Sequence, residues 1–343
     1  MRFDDLYITG AAAHLPPRVT VAQALERGEC DPQSVRSSDL LSVAVSDGES
    51  GPEMAASAAG TALRRADADP GEIDLLLHAT VYYQGHDLWA PASYVQRRAL
   101  GNRCPAVEVR QLSNGGMAAL ELAAGYLVPG SARVGALLTT GDRFCAPGFD
   151  RWRSDPGTVY GDGGTALVLS RRPGFARLRS LVTVGDSDLE AMHRGADPFG
   201  AAPFEQRRPM DLEVLKRRFI EQVGTSYSVA RVSAAQTEVL KQALAEADTE
   251  LAGIDWFVLP HFGLRRLTSG FLRRWEVAPE DTTWTWGRTV GHLGAGDQFA
   301  GLAHLAQSGR LLPGQRCLLV GVGAGYSWSC AVLEVRHTPD WAD

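Results

Sequence analysis

The sequence predicts an α/β fold built from two copies of one domain-sized unit, and three observations carry that expectation. Apolar runs of strand length alternate with Ala-rich helical patterns along most of the 343 residues. Ala62-Leu63, Ala66-Asp67 and Ile73-Asp74 recur as Ala243-Leu244, Ala247-Asp248 and Ile254-Asp255, each at the same offset of 181. Pro129-Gly130 with VGALLTT shortly after it recurs as Pro313-Gly314 with CLLVGVG, at an offset of 184. Offsets this large imply two halves, residues 1–172 and 173–343, rather than a solenoid array.

Each element has its local reason. Residues 3–12 read as a strand. Residues 16–52 are polar and rich in Gly, Asp and Ser, so an irregular entry segment is expected there. Glu53–Ala66 is an Ala-rich helix, closed by the turn residues Asp69-Pro70-Gly71. Ile73–Thr80 (IDLLLHAT) is an apolar run that suits a buried strand. A helix is expected at Ala90–Leu100 and a strand at Ala106–Arg110. Then comes QLSNGGMAALELAAGYL, residues 111–127, in which a polar turn with two glycines runs into a helix. Met117, Leu120, Ala124 and Leu127 share one face of it, and Val128-Pro129-Gly130 reads as its stop. A strand follows at Val134–Thr140. Another, TALVLS, comes after the turn Gly161-Asp162-Gly163-Gly164. In the second half, IDWFVLPH reads as a strand ending at His261. Gly321–Tyr326 reads as a glycine-rich turn before the strand Ser327–Val335.

Composition narrows the function classes. The chain is 45% hydrophobic and 22% charged with a net charge of -6, which gives no support to nucleic-acid binding. None of the five cysteines (Cys30, Cys104, Cys145, Cys317, Cys330) forms a C-x-x-C pair. Neither a metal site nor a disulfide framework is expected, and a reduced cytoplasmic setting is. The opening MRFDDLYITG lacks the pattern of a signal peptide. No apolar run approaches the ~20 residues of a membrane span, so no membrane partner is expected.

Four polar groups fall where strand ends and helix starts of a duplicated fold would converge: Ser113, His261, His292 and Asp297. Ligands of open α/β sheets gather at such ends. Ser113 precedes a helix start, where it is either an N-cap or a hydroxyl placed against unpaired backbone N–H groups. The same place in the second half holds Asp297, 184 residues on. A serine needs an adjacent base to act as a nucleophile, and that base needs an orienting acid. The loop GHLGAGD, residues 291–297, offers both in His292 and Asp297. Asp297 is also a candidate N-cap, and His261 a candidate strand-end histidine. As a lone G-x-G-x-G with no helix after it, the turn at Gly323, Ala324 and Gly325 is weak evidence for a nucleotide site. Its better use is to supply a backbone N–H to an oxyanion, with the N–H of Ser113 as the other donor. Arg265, Arg266, Arg273 and Arg274 form a basic cluster on an acidic chain, suited to an acidic carrier protein or phosphates.

Together these motifs resemble the thiolase superfamily, and most closely its β-ketoacyl-acyl-carrier-protein synthase III group, from about Tyr7 to Val335. Ser113 holds the place of the family's nucleophilic cysteine. The family's Gly-Asp-Gly-Ala turn stands here as Gly161–Gly164, its Pro-His strand end as Pro260-His261, and its C-terminal glycine-rich turn as Gly323–Trp328. The resemblance implies a five-layer αβαβα fold and a homodimer. It also implies an acyl-coenzyme A or acyl-carrier-protein substrate with no resident cofactor, and carrier docking on the helix of Arg265 to Arg274. The departures are informative: the family's Cys is Ser113, and its Gly-Asn is Gly291-His292.

Ser with His and Asp suits acyl transfer without condensation. That resembles a divergent subgroup of polyketide antibiotic pathways, the daunorubicin-type starter-unit acyltransferases. On this reading His292, held by Asp297, takes the Ser113 proton, and His261 hydrogen-bonds the thioester carbonyl or shares the base role. His193 is either a second base for the acceptor or a surface-loop histidine. The alternatives are a decarboxylating condensing enzyme that uses serine, a non-catalytic partner subunit, and an engineered Cys-to-Ser form. The acyl group and the acceptor, a carrier thiol or a small-molecule hydroxyl, are left open.

Overall fold

The computed structural model of the chain describes residues 1–127, 132–203 and 205–342. The Val128-Pro129-Gly130 helix stop lies outside the described residues. The first half contributes strands β1 (Tyr7–His14), β2 (Arg18–Thr20), β3 (Ser42–Ala44), β4 (Ile73–Ala79), β5 (Ala106–Val109), β6 (Gly135–Asp142) and β7 (Gly163–Ser170). Its helices are α1 (Val21–Glu26), α2 (Pro32–Ser38), α3 (Gly51–Arg65), α4 (Pro91–Ala99) and α5 (Gly115–Tyr126). The second half contributes β8 (Ala176–Gly185), β9 (Trp256–Val258), β10 (Arg316–Gly323) and β11 (Ser327–Val335). Its helices are α6 (Leu212–Val223), α7 (Thr225–Glu246), α8 (Leu264–Leu267), α9 (Arg273–Trp275), α10 (Trp284–Gly287) and α11 (Asp297–Gln307).

Nine strands join in the order β5-β4-β6-β7-β1-β8-β11-β10-β9. The strands of the two halves join where β1 pairs with β8, Tyr7 opposite Arg177 and Ile8 opposite Ala176. Because strand side chains alternate, each strand feeds two cores. On β4, Leu75, Leu77 and Ala79 join Met117 and Leu120 of α5 and Phe299 and Leu302 of α11. Ile73 and Leu76 face the other way, onto the alanines of α3. On β10, Cys317 and Leu319 reach the shared core, while Leu318 and Val320 meet Val239 and Leu240 of α7. The layers are therefore α3 and α4, first-half strands, α5 and α11, second-half strands, and α7. A fully buried leucine such as Leu120 contributes about 2 kcal/mol to that core.

The central helices approach at their starts because Gly116 has no side chain. A Cβ there would lie 2.5 Å from the Ala295 carbonyl oxygen. That contact sets the Ser113 turn beside the Gly294–Gly296 turn.

Residues 16–52 are not an irregular entry segment. They hold α1, α2 and a two-stranded sheet, β2 with β3. Thr20 and Gln23 form a reciprocal capping box on α1, a signature readable in the sequence. β3 braces the catalytic-side loop: the Ala44 N–H donates to the Val290 carbonyl at 2.9 Å, and the Asp162 N–H to the Ala44 carbonyl at 2.9 Å. β9 ends at Val258, so His261 lies beyond the strand rather than at its end. Gly321–Gly323 belong to β10, and only Ala324–Tyr326 make the turn.

Candidate active site

Ser113 sits in the short 3-10 turn Leu112–Asn114 between β5 and α5. It is not an N-cap: Asn114 holds the capping position and makes no side-chain cap bond. The Ser113 hydroxyl instead lies 2.8 Å from His292 Nε2. His292 Nδ1 lies 2.5 Å from Asp297 Oδ2. A carboxylate only accepts, so Nδ1 carries the ring proton and Nε2 is left to accept from the serine O–H. Asp297 is fully buried. It accepts the His261 N–H at Oδ2, 2.8 Å, and the Leu293 N–H at Oδ1, 2.7 Å. Burial raises the Asp297 carboxyl pKa. Attraction to His261 and His292 and the hydrogen bonds outweigh burial, and the net position is below the ordinary value. Asp297 therefore ties three groups together rather than capping α11, whose N-cap is Gly296.

His292 is aimed by its backbone. Its N–H donates to the Val159 carbonyl and its carbonyl accepts the Gly161 N–H, both at 2.9 Å. Gly291 before it has φ 85, and a Cβ there would meet Val43 Cγ1 at 2.7 Å. Two aromatic rings stand edge-on to the imidazole, Tyr160 at 4.8 Å and Phe262 at 5.7 Å between centroids.

His261 does not join Ser113. Its ring is 1% exposed, and its Nδ1–H donates to the Gly291 carbonyl at 2.9 Å. Nε2 is buried with no hydrogen-bond partner among the described residues. The ring is wedged against Gly287 and Trp286, behind the loop that carries His292. The physical reason is that β9 stops short and the chain turns through Pro260 so that the His261 N–H points at Asp297.

A cavity of about 510 Å³ opens onto Ser113 and His292. Its wall includes Tyr160, Phe262, Tyr326 and Trp328, and also Lys216 and Gln236 from α6 and α7. His261 is not part of that wall. His193 is, so it is not a surface-loop histidine; it packs edge-on to Tyr326 at 5.6 Å. Burial, partly opposed by Asp155, lowers its pKa and favours the neutral ring. Gly323 and Ala324 line the cavity with Ser113, whereas Gly325 does not; a Cβ at Gly325 would lie 4.0 Å from Gln111 Nε2. Gly323 is required for the close approach of β10: a Cβ there would meet the Asn114 nitrogen at 2.6 Å.

The four arginines do not form one cluster. Arg266 turns inward and grips Asp155 with two bonds of 3.0 Å. Burial raises the Asp155 pKa, the Arg266 charge and hydrogen bonds lower it, and the net shift is down. Arg274 bonds Ser233 at 3.0 Å and also lines the cavity. Arg265 and Arg273 face the other side, beside Arg36 in a surface hollow. The split arises because adjacent helical residues point about 100° apart, so Arg265 and Arg266, like Arg273 and Arg274, face different sides; the π-turn at Thr268–Leu272 lies between the two pairs.

Sequence reasoning missed Asp155, Tyr160 and Asp142, none of which carries a local signature. The Tyr160 hydroxyl bonds Asp155 Oδ2 at 3.3 Å. Asp142, wholly buried, accepts the Val81 N–H at 2.9 Å and the Tyr82 N–H at 2.7 Å. Burial pushes it up to about 7 against those bonds and the attraction of His292. The aspartate of the Gly-Asp-Gly-Gly turn has a structural task. Asp162 accepts from Phe144 N, Ser46 N and Arg151, joining three segments around the site.

The chain is similar to known proteins in sequence and in fold. Residues 244–335 match the family described as 3-oxoacyl-acyl-carrier-protein synthase III C terminal. The β-ketoacyl-acyl-carrier-protein synthase III of Thermosynechococcus vestitus is 30% identical over 287 residues, 82% of this chain and 83% of that one. That of Rhodospirillum rubrum is 27% identical over 341 residues, 96% and 98% of the two chains. Among solved structures, ChlB3, described as an acyltransferase, superposes with a TM-score of 0.94 at 35% identity, covering 99% of this chain and 100% of its own. The synthase III of Aquifex aeolicus shares the fold, with a TM-score of 0.77 at 20% identity over 96% of this chain and 99% of its own.

Proposed function

The chain belongs to the β-ketoacyl-acyl-carrier-protein synthase III-like family of the thiolase superfamily, and from that premise we propose that it is a serine-dependent acyltransferase. The observation that carries the reading is the unbroken series from Ser113 Oγ to His292 Nε2 at 2.8 Å and from His292 Nδ1 to Asp297 at 2.5 Å. In the proposed reaction an acyl thioester, from coenzyme A or a carrier protein, enters the cavity. Ser113 Oγ attacks its carbonyl carbon as His292 Nε2 takes the hydroxyl proton. N–H groups of Ser113 and of the Gly323–Gly325 segment hold the tetrahedral oxyanion. The C–S bond breaks, His292 returns the proton to the leaving thiolate, and an acyl-serine remains. A carrier thiol or small-molecule hydroxyl then attacks the ester, with His292 again as base. His193, neutral and in the cavity wall, is proposed as a second base for the acceptor.

Transfer is favoured over decarboxylative condensation by the placement of His261. Condensation of the family's kind needs two donors on the thioester carbonyl. Here the first is turned behind the loop and the second is replaced by a histidine engaged with Ser113. ChlB3 is described as an acyltransferase, which supports the same choice and a place in polyketide or other secondary metabolism. Arg265 and Arg273 are proposed to dock the carrier protein, with Arg266 and Arg274 nearer the bound arm. A homodimer is proposed through the sheet edge at β5, where Val107 is exposed; Leu88 and Trp89 are exposed apolar residues of the same half. All five cysteines are free, which suits a cytoplasmic setting.

Intact-mass measurement after incubation with a panel of acyl-coenzyme A thioesters tests the reading. The expected result is a shift of one acyl group, absent in Ser113→Ala, whose turnover falls on the order of 10⁶-fold. Release of CO₂ from a malonyl donor would instead establish the condensing alternative, and no shift with any donor the non-catalytic one.

A further inference from the structure

The turn that carries Ser113 is strained and braced from outside. Leu112 has φ 47, a left-handed conformation that costs a branched side chain about 1–2 kcal/mol. Two backbone bonds span the turn, from the Asn114 N–H to the Gln111 carbonyl at 3.2 Å and from the Gly115 N–H to the Leu112 carbonyl. Side chains on both sides of Ser113 add to them. Gln111 Nε2 donates to Ser327 Oγ at 3.2 Å, and Asn114 Nδ2 donates to Ser327 Oγ at 3.1 Å and Ser329 Oγ at 2.9 Å. The Asn114 side chain is wholly buried.

The bonds continue beyond β11. Ser329 Oγ lies 2.8 Å from Thr183 Oγ1 on β8, its register partner, and Thr183 Oγ1 lies 2.5 Å from Glu121 Oε2 on α5. A carboxylate can only accept, so its presence sets every proton in the series. Thr183 donates to Glu121, its oxygen accepts from Ser329, and the Ser329 oxygen accepts from Asn114. The reversed Asn114 amide would place its oxygen against a hydroxyl whose proton is already committed. Glu121 therefore determines which way the residue after the nucleophile faces. Bonds aligned in one direction strengthen one another where water is excluded, as at Asn114 and Ser329, which are wholly buried; Thr183 and Glu121 are partly buried.

We propose that Glu121, Thr183, Ser329 and Asn114 form a polarised hydrogen-bond chain that positions the Ser113 hydroxyl for attack, Asn114 and Ser329 being positioning residues that touch neither substrate nor the reacting atoms. This rests on the proposal that Ser113 carries the acyl group. The chain explains how the turn tolerates the strain at Leu112 while holding a serine whose hydroxyl must meet His292 and whose N–H must meet the oxyanion.

Turnover in acyl transfer by Thr183→Val, Ser329→Ala and their double variant tests the chain, with Thr183→Ser as the conservative control and Ser113→Ala alongside. Each single variant is expected to lose about tenfold in kcat, up to a hundredfold, because small misplacements of a reacting group cost that much. KM should stay within about twofold. The double variant should be no slower than the slower single one, since both cut one series, and Thr183→Ser should recover wild-type kcat. Wild-type kcat in folded Thr183→Val and Ser329→Ala, or effects that simply multiply, would overturn the chain alone. Retained turnover in Ser113→Ala would overturn the chain and the nucleophile together.

Discussion

The turn before α5 and the turn before α11 stand at equivalent places in the two halves, 184 residues apart, yet they have opposite characters. The first is strained at Leu112 and leaves Ser113 half-buried at a cavity. The second relaxes its backbone with glycine at Gly294, φ 61, and buries Asp297 completely. The difference follows from charge. A hydroxyl can sit at a cavity wall with a single partner. A carboxylate taken out of water needs several donors, and Asp297 has His292 and the N–H groups of His261 and Leu293. Duplication brings two helix starts together, and their divergence makes one the proton donor and the other the anchor of the acceptor.

Removing the anchor's charge breaks that asymmetry most severely. Asp297→Asn is expected to lower kcat on the order of 10⁴-fold, because the amide no longer fixes the His292 tautomer. The check is turnover with a saturating thioester donor; a loss under about tenfold would mean the buried turn is only structural. His261 sharpens the same contrast. His261→Asn keeps a donor for the Gly291 carbonyl and the backbone bond to Asp297. Its kcat should stay within about tenfold of wild type, since the ring does not line the cavity. A loss on the scale of Asp297→Asn would place the ring at the chemistry after all.

The smallest effect is on stability. Asp142 has a folded pKa of about 7 against an ordinary 3.8. Between those values the folded chain holds a proton that the unfolded chain has released, so this group's contribution falls as pH rises and levels off above about 7. Asp297, shifted down, acts in the opposite sense: its contribution is present above the unfolded value and is lost as pH falls through the folded one. Asp142→Asn should therefore reduce the loss of Tm between pH 5 and pH 8. An unchanged difference in a melting series would show that Asp142 is ionised throughout.

The candidate site is legible in part from short stretches. Ser113 stands before a glycine pair, and His292 and Asp297 share GHLGAGD, but it is the repeat that aligns those stretches and makes them candidates. His261 was misjudged because Pro260-His261 says nothing about where the ring turns after β9 ends. The arginines read as one cluster because they share a helix, but neighbours such as Arg265 and Arg266 face different sides of it. Residues 16–52 look irregular in sequence because their strands are three residues each, too short for periodicity to register.

By itself the sequence determined the α/β class, the internal repeat and the residue types placed at the two helix starts, because periodicity and duplication are properties of order along the chain. Only the tertiary structure decided that Ser113 meets His292 rather than capping a helix, that His261 faces away, and that Glu121 reaches the nucleophile turn through Thr183 and Ser329. Those outcomes depend on contacts between residues 30 to 215 positions apart. They are set by which backbones approach at glycines and by how each buried polar atom finds a partner, and no local pattern records either.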